Sequence, residues 1–423
     1  MPTYQVPYGR TQIDFQIPDS FHVDVLAPAH IPVVTDPARA VIDALENPVG
    51  EFAWSDFTRA KSVAIAINDK TRPVPLAVLL PPLLRTLAEI GVAADAIDLL
   101  IAPGTHAPMR PDEFASVVPP DILARYRVTS HDCDDRANLV YLGDTARGTP
   151  VWVNRVFARA DLRIAVGNLE PHQFMGFSGG VKPAAIGLAG RETVTRNHAL
   201  MLDPRSNIAR YEDNPARQDV EAIGKMLGVH LALNSLVNEN KQIVHVLAGE
   251  PRAVMRRGIP RVLELYERRV AAPYAMVIAS PGGHPKDLNL YQAQKALAHA
   301  TFVTQPGGTV ILAAACPEGT GSRHYEEWIA DKTSHAQVIE TFAREGYRIG
   351  AHKAFQISRD ASRERVLFVT EMPADFVRRL LLTPYHSLDD ALAVALRDLA
   401  PGARIGILPY ANATIPVVTG ANP

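Results

Sequence analysis

Cysteine is nearly absent from this chain: Cys133 and Cys316 stand far apart and form no CxxC pair. That excludes a disulfide framework and a cysteine-held metal cluster, and it suits a reducing compartment. No apolar run approaches the ~20 residues that a membrane helix needs. The opening, MPTYQVPYGRTQIDF, has no apolar core of signal-peptide length. A cytoplasmic protein outside the membrane is therefore expected. An excess of one charge is missing as well. The 43 Lys and Arg against 45 Asp and Glu leave a net charge of -2, with no dense basic block, which argues against an electrostatic nucleic-acid binder. What the chain has is apolar residues in globular proportion, 47% of a length of 423. One hydrophobic core rarely spans that length, so two domains are expected.

Read in order, the chain points to α/β architecture: two Rossmann-like units with mainly parallel sheets and the active site in the cleft between them. The first domain is expected over residues 1–270 and the second over 271–408, with the tail 409–423 returning to the first. The runs at 61–67 (KSVAIAI), 96–102 and 162–166 predict buried strands. Each closes on a polar loop: Asp69-Lys-Thr-Arg72, Gly104-Thr-His106 and Glu170-Pro-His172. Parallel strands bring such loops to one edge of the sheet, where open α/β folds hold ligands. A helix from Pro251 to Val270 is expected to close the first unit. A second series then runs from the strand Tyr274–Ala279 through the helix 290–300 to the strand 404–407.

The stretch from Gly167 to His198, GNLEPHQFMGFSGGVKPAAIGLAGRETVTRNH, has little apolar periodicity but carries two histidines, a lysine and several glycines. Its Gly176-Phe-Ser-Gly-Gly180 turn lets a backbone approach a ligand closely. Lys182 follows, but Pro183 stands where a phosphate loop needs its Ser or Thr, so a nucleoside triphosphatase is not indicated. A lysine can instead make a covalent link to a cofactor. His106 and His172, ending two strands, suit an acid and a base that titrate near neutrality. His131, a third loop histidine, reads as structural. His198 is a possible metal ligand, though nothing near it in sequence completes a zinc set. The loop from Cys316, CPEGTGSRHYEEW, has the composition of a lid or of a plain surface loop.

Taken together, Asp69 to Arg72 (DxxR), the GTH at His106, the EPH at His172, GFSGGxK at Lys182, His198, and Tyr291 to Lys295 (YQxxK) resemble the nickel-dependent lactate racemase family. The ordered set and its spacing span the whole chain. The resemblance implies a racemase or epimerase of a 2-hydroxy acid using a nickel-pincer nucleotide, a pyridine mononucleotide with two sulfur-containing arms. It implies that Lys182 carries that cofactor, with Ser178, Gly179 and Gly180 beside it, and that His198 binds nickel. His106 and His172 would be the acid/base pair, and Asp69, Arg72, Tyr291, Gln292 and Lys295 the substrate shell. It also implies cofactor-biosynthesis proteins as partners. Pro183, Ile186-Gly187 and Met175 depart from the residues usual in that family's loop. Two other readings of the residues stand beside this one: a lysine-linked pyridoxal phosphate enzyme, and a non-catalytic binder of a nucleotide-like cofactor.

Overall fold

The computed structural model describes residues 1–238, 240–348 and 350–419. The chain divides into two compact units: residues 30–265 form one, and residues 1–29 join those from 266 onward in the other. It opens with an antiparallel hairpin, β1 (Thr3–Tyr8) and β2 (Thr11–Gln16), followed by the short β3 (His22–Val25).

The 30–265 unit contributes β4 (Val63–Asn68), β5 (Ile97–Ala102) and β6 (Arg127–Ser130), then the ladder of β7 (Leu139–Asp144) and β8 (Pro150–Asn154). After these come β9 (Leu162–Asn168), the two-residue strands β10 (Pro171–His172) and β11 (Gly176–Phe177), β12 (Leu231–Val237) and β13 (Ile243–Gly249). Its main sheet has the order β13-β12-β9-β4-β5-β6. Every neighbouring pair is parallel except β12 and β13. The residues Val63 to Ile67 are buried without alternation, as expected of a parallel strand covered on both faces. Ile65, Ile67, Leu99, Ile101, Ile164 and Val166 join the helix residues Leu79, Leu83 and Leu87 in one core. Strand order reverses at β4, with β5 on one side and β9 on the other, so the loop after β4 leaves the sheet where ligands of such folds bind.

The other unit contains β14 (Glu267–Val270), β15 (Tyr274–Ala279), β16 (Thr304–Ala313), β17 (Arg365–Val369), β18 (Thr383–Tyr385), β19 (Arg404–Leu408) and β20 (Ile415–Val418). Its sheet, β18-β17-β16-β15-β19-β3, is parallel throughout.

The division differs from the expected one at both ends of the chain. Residues 1–29 do not belong with 30–265: β3 adds an edge to β19, and Val6, Phe15 and Ile17 enter the core around Met276 and Ile278. Burying three such side chains contributes about 5–9 kcal/mol, enough to hold a hairpin that has few other contacts in sequence. The tail does not return to the 30–265 unit either, because β20 pairs in parallel with β14. That pairing also explains why the expected helix to Val270 stops at Tyr266: the next residues form β14. Among the described residues no helix is long and apolar enough to cross a membrane.

Candidate active site

The loop after β4 is folded around one carboxylate. Asp69 is 3% exposed and accepts a hydrogen bond from the Thr71 hydroxyl at 2.8 Å. Its second oxygen lies 3.0 Å from Nδ1 of His106, which ends the loop after β5. Burial alone would raise the Asp69 carboxyl. Hydrogen bonds from His106 and Thr71, with the charges of His106 and Arg72, outweigh it and hold the group below its ordinary value. An ionised carboxylate only accepts, so in its neutral form His106 carries its proton on Nδ1 and has its lone pair on Nε2. The His106 side chain is 41% exposed. The sequence-based expectation placed Asp69 in the substrate shell; its carboxylate is engaged with His106 and Thr71.

His172 is held differently. β10 pairs with β11 so that His172 faces Gly176, and the Met175 N–H donates to His172 Nδ1 at 3.3 Å. In its neutral form the ring therefore carries its proton on Nε2. The two histidines hang from β5 and β9, the strands on either side of β4, two strand spacings or about 10 Å apart. Asn168 at the end of β9 donates to the Pro73 carbonyl at 2.9 Å, which ties the His172 strand to the loop of Asp69 and Arg72. Phe174 stands edge-on to both His172 and His198, with ring centroids 5.0 and 5.1 Å away, so the three rings form a row.

The glycine-rich turn is built by residues that sequence reasoning passed over. Gly176 has φ +69, and a Cβ there would lie 1.6 Å from the Arg210 carbonyl oxygen, so only glycine fits. Gly180 donates to Asn234 Oδ1 at 2.7 Å. Arg217, fully buried, donates to the carbonyls of Phe177 and Gly179 at 3.0 and 3.2 Å and to Glu221 Oε1 at 2.6 Å. Tyr211 donates to the same Glu221 oxygen at 3.0 Å. The Ser178 hydroxyl is turned inward, donating to Asn168 O at 2.9 Å and accepting from the Glu170 N–H at 3.1 Å. It therefore closes the turn, and with Gly179 and Gly180 it shapes the approach to Lys182. Lys182 is 9% exposed and begins the short helix Lys182–Ala185. Pro183 lies in that helix's first turn, where a missing N–H breaks no helical bond, so this departure fits the local backbone. The Gly104 N–H donates to the Gly187 carbonyl at 3.0 Å, joining the loop of His106 to the segment of Lys182. His106, Asp69, Thr71, Arg72, His172, Phe174, Lys182 and His198 thus all belong to the 30–265 unit.

Tyr291, Gln292 and Lys295 lie in the other unit, on the helix Leu290–Thr301. Lys295 Nζ donates to Gln292 Oε1 at 3.0 Å, and Asn289 caps the helix through the Gln292 N–H. The loop from Cys316 packs on this helix start, its Gly319 and Thr320 carbonyls accepting from the N–H groups of Leu290 and Tyr291. It is a fixed support for that turn. His131 is buried and bonded to Ala189 O and Asn154, as a structural histidine. Beside it, Asp132, Cys133 and Asp134 form the one group of three potential metal ligands among the described residues. Arg191 grips Asp134 with two bonds of 2.7 Å, and burial pushes the Cys133 thiol up to about 11, so the trio is disposed as an ion pair.

A His–Asp pair and a second histidine, on strand ends to either side of β4, lie in the same α/β unit as a glycine turn and a buried lysine. The chain belongs to the lactate racemase family and is thereby an isomerase. The lactate racemase N-terminal domain family matches residues 8–209 and the lactate racemase C-terminal domain family residues 270–415. Lactate racemase of Thermoanaerobacterium thermosaccharolyticum is 27% identical over 418 residues, covering 97% of this chain and 98% of that protein. Lactate racemase of Lactiplantibacillus plantarum is 29% identical over 421 residues, again covering 97% and 98%. The solved structure of the lactate racemase apoprotein from T. thermosaccharolyticum superposes with a TM-score of 0.92, covering 98% of this chain and all of that one. A Thermotoga maritima protein at 19% identity has a TM-score of 0.65 over 90% of this chain and 97% of its own, which shows a shared fold.

Proposed function

We propose that this protein inverts the α-carbon of lactate or a lactate-like 2-hydroxy acid, with a nickel-pincer nucleotide linked to Lys182 and its nickel bound by His198. One observation carries the reading: on strand ends to either side of β4, His106 Nδ1 meets the Asp69 carboxylate while His172 Nδ1 accepts from the Met175 N–H. The donor set suits that group. Among the described residues no trio of His, Cys, Asp or Glu includes His198, so a metal there would not draw its ligand set from such side chains alone, which suits a cofactor that carries its own. Gly176, Gly179 and Gly180, with φ of +69, +76 and +58, bend the backbone that leads into Lys182.

When bound, the group supplies a centre that takes up and returns the α-hydride. Arg72 would offer a planar fork to the substrate carboxylate. His106 Nε2 takes the hydroxyl proton as the α C–H electron pair leaves, and Asp69 stabilises the imidazolium that results. The carbon becomes a planar 2-keto acid. For the other configuration, His172 would supply the hydroxyl proton from Nε2. Deprotonating the α-carbon itself would demand removal of a barely acidic proton, which neither histidine is arranged to assist. Cofactor-building proteins are the partners this scheme requires.

The test is protein produced together with those partners, offered both enantiomers of a panel of 2-hydroxy acids and analysed by chiral chromatography. Interconversion of at least one pair, with an adduct mapping to the Lys182 peptide, is expected. An adduct at Lys182 with no inversion across the panel refutes the substrate class, and inversion without an adduct refutes the link.

A further inference from the structure

His198 stands in the last turn of the helix Arg191–Ala199, and that helix is fastened at both ends. Thr193 and Asn197, four apart and both fully buried, share its inner face. Thr193 Oγ1 donates to the Pro150 carbonyl at 2.6 Å and accepts from the Trp152 N–H at 2.9 Å, which ties the first turn to β8. Asn197 Nδ2 donates to the Ala216 carbonyl at 3.1 Å and to Asp219 Oδ2 at 2.9 Å, which ties the last turn to the helix Pro215–Leu227. The same helix reaches the far side of the His198 ring. Asn214, its N-cap, donates to the Phe174 carbonyl at 2.9 Å, and Phe174 stands edge-on to His198.

Asp219 is 1% exposed and ringed by donors. The Thr145 and Thr149 hydroxyls reach its two oxygens at 2.6 and 2.9 Å. Thr145 Oγ1 already accepts from the N–H groups of Arg147 and Thr149, so its own proton goes to Asp219. The three side chains that donate to this carboxylate are all uncharged. On the Asn197 amide, Oδ1 is buried with no partner. Turning the amide over would set that oxygen against a carboxylate and a carbonyl, so Asp219 and Ala216 decide which way it faces. A buried carboxylate among neutral partners and an orphaned amide oxygen both cost stability. Sequences breach polar satisfaction in this way mainly where function requires it.

We infer that Asp219 is a positioning residue for His198: acting through Asn197, it fixes the last turn of the helix that presents the nickel ligand. This rests on the reading above that His198 binds nickel. A metal-binding histidine depends on the groups that orient it, and losing one lowers metal affinity by about 10- to 100-fold. Asp219 acts through a second side chain, so the low end of that range, about tenfold, is expected.

The test is the rate at which loaded protein loses nickel to a chelator, read by elemental analysis beside the mass of the Lys182 adduct and the calorimetric Tm. Asp219→Asn keeps the shape of the side chain and removes one acceptor. It should lose nickel about tenfold faster than the parent with its adduct intact. Asn197→Ala cuts the same link without touching the carboxylate and should behave alike, which covers an Asp219→Asn protein that does not fold. Thr149→Val is the structural control: it takes a donor from Asp219 but leaves the Asn197 contact, so Tm should fall while nickel loss stays within about twofold of the parent. Parental nickel retention in Asn197→Ala or Asp219→Asn overturns the inference, as does nickel loss that follows Tm across all three variants. His198→Ala separates this from the earlier reading. If that variant holds nickel as the parent does, the failure lies in the assignment of His198, and the role of Asp219 falls with it.

Discussion

Replacing Asp69 by Asn keeps the shape of the side chain and removes the feature on which His106 depends. The aspartate has two accepting oxygens, one taken by Thr71 at 2.8 Å and one by His106 at 3.0 Å. Asparagine has one. If the amide NH₂ turns to His106, the imidazole must accept on Nδ1 and its proton moves to Nε2, turning the base into an acid. A charge-assisted hydrogen bond contributes about 1.5–3 kcal/mol. The 41% exposure of His106 discounts that to about 1–2 kcal/mol through solvent screening. At 1.36 kcal/mol per decade this alone lowers kcat/KM by about 5- to 30-fold, and the misplaced proton extends the loss toward a hundredfold. A larger effect, of the ~10⁴ seen when a wholly buried aspartate supports a catalytic histidine, is not expected at a half-exposed ring. Racemisation of lactate by the loaded Asp69→Asn protein, followed by chiral chromatography, is the assay. Activity within twofold of the parent, with the fold and the Lys182 adduct intact, would refute the His–Asp assignment.

Two further outcomes concern stability. Arg217→Ala leaves Glu221 buried with only Tyr211 as a partner and should cost about 3–5 kcal/mol, lowering Tm by roughly 6–20 °C. A calorimetric Tm within two degrees of the parent would show that the clamp on the glycine turn is not held by this pair. Burial is the main cause of the lowered values of His299, about 4, and His352, about 3. Both start from an ordinary 6.5 in the unfolded chain, so the unfolded state binds protons first. Stability should be unaffected above that value and fall by up to about 1.4 kcal/mol per histidine per pH unit as pH drops from 6.5 toward 4. Urea unfolding that is flat from pH 7 to 4.5 would contradict their neutral burial.

The legible parts of this fold were those where one residue type runs on without interruption. The buried stretches of β4, β5 and β9 read directly as parallel strands, and the polar loops at their ends marked the sheet edge that holds Asp69, His106 and His172. The N-terminal hairpin was assigned to the wrong unit because contiguity was the only guide: its β3 partner, β19, lies at the far end of the chain. The helix Ala351–Ala361 was not expected, and its buried positions include the polar His352, Lys353, Gln356, Ser358 and Asp360. At the site, the residue types were visible and their pairings were not. Asp69 and His106 are 37 positions apart, and only the β4–β5 register brings them together. Arg217 and Glu221, four apart near a helix start, have the pattern of a solvated ion pair; nothing in their spacing tells that the pair is buried against the carbonyls of Phe177 and Gly179.

The account's central claim is that the α-hydrogen travels as hydride and that the histidines move only hydroxyl protons. Racemisation of lactate deuterated at the α-carbon, run in ordinary water and followed by mass spectrometry of both enantiomers, tests this most directly. The predicted result is product of inverted configuration that keeps its deuterium, with a slowed rate from breaking the C–D bond. Inverted product carrying solvent hydrogen at the α-carbon would mean that a histidine deprotonates carbon, and would contradict the account.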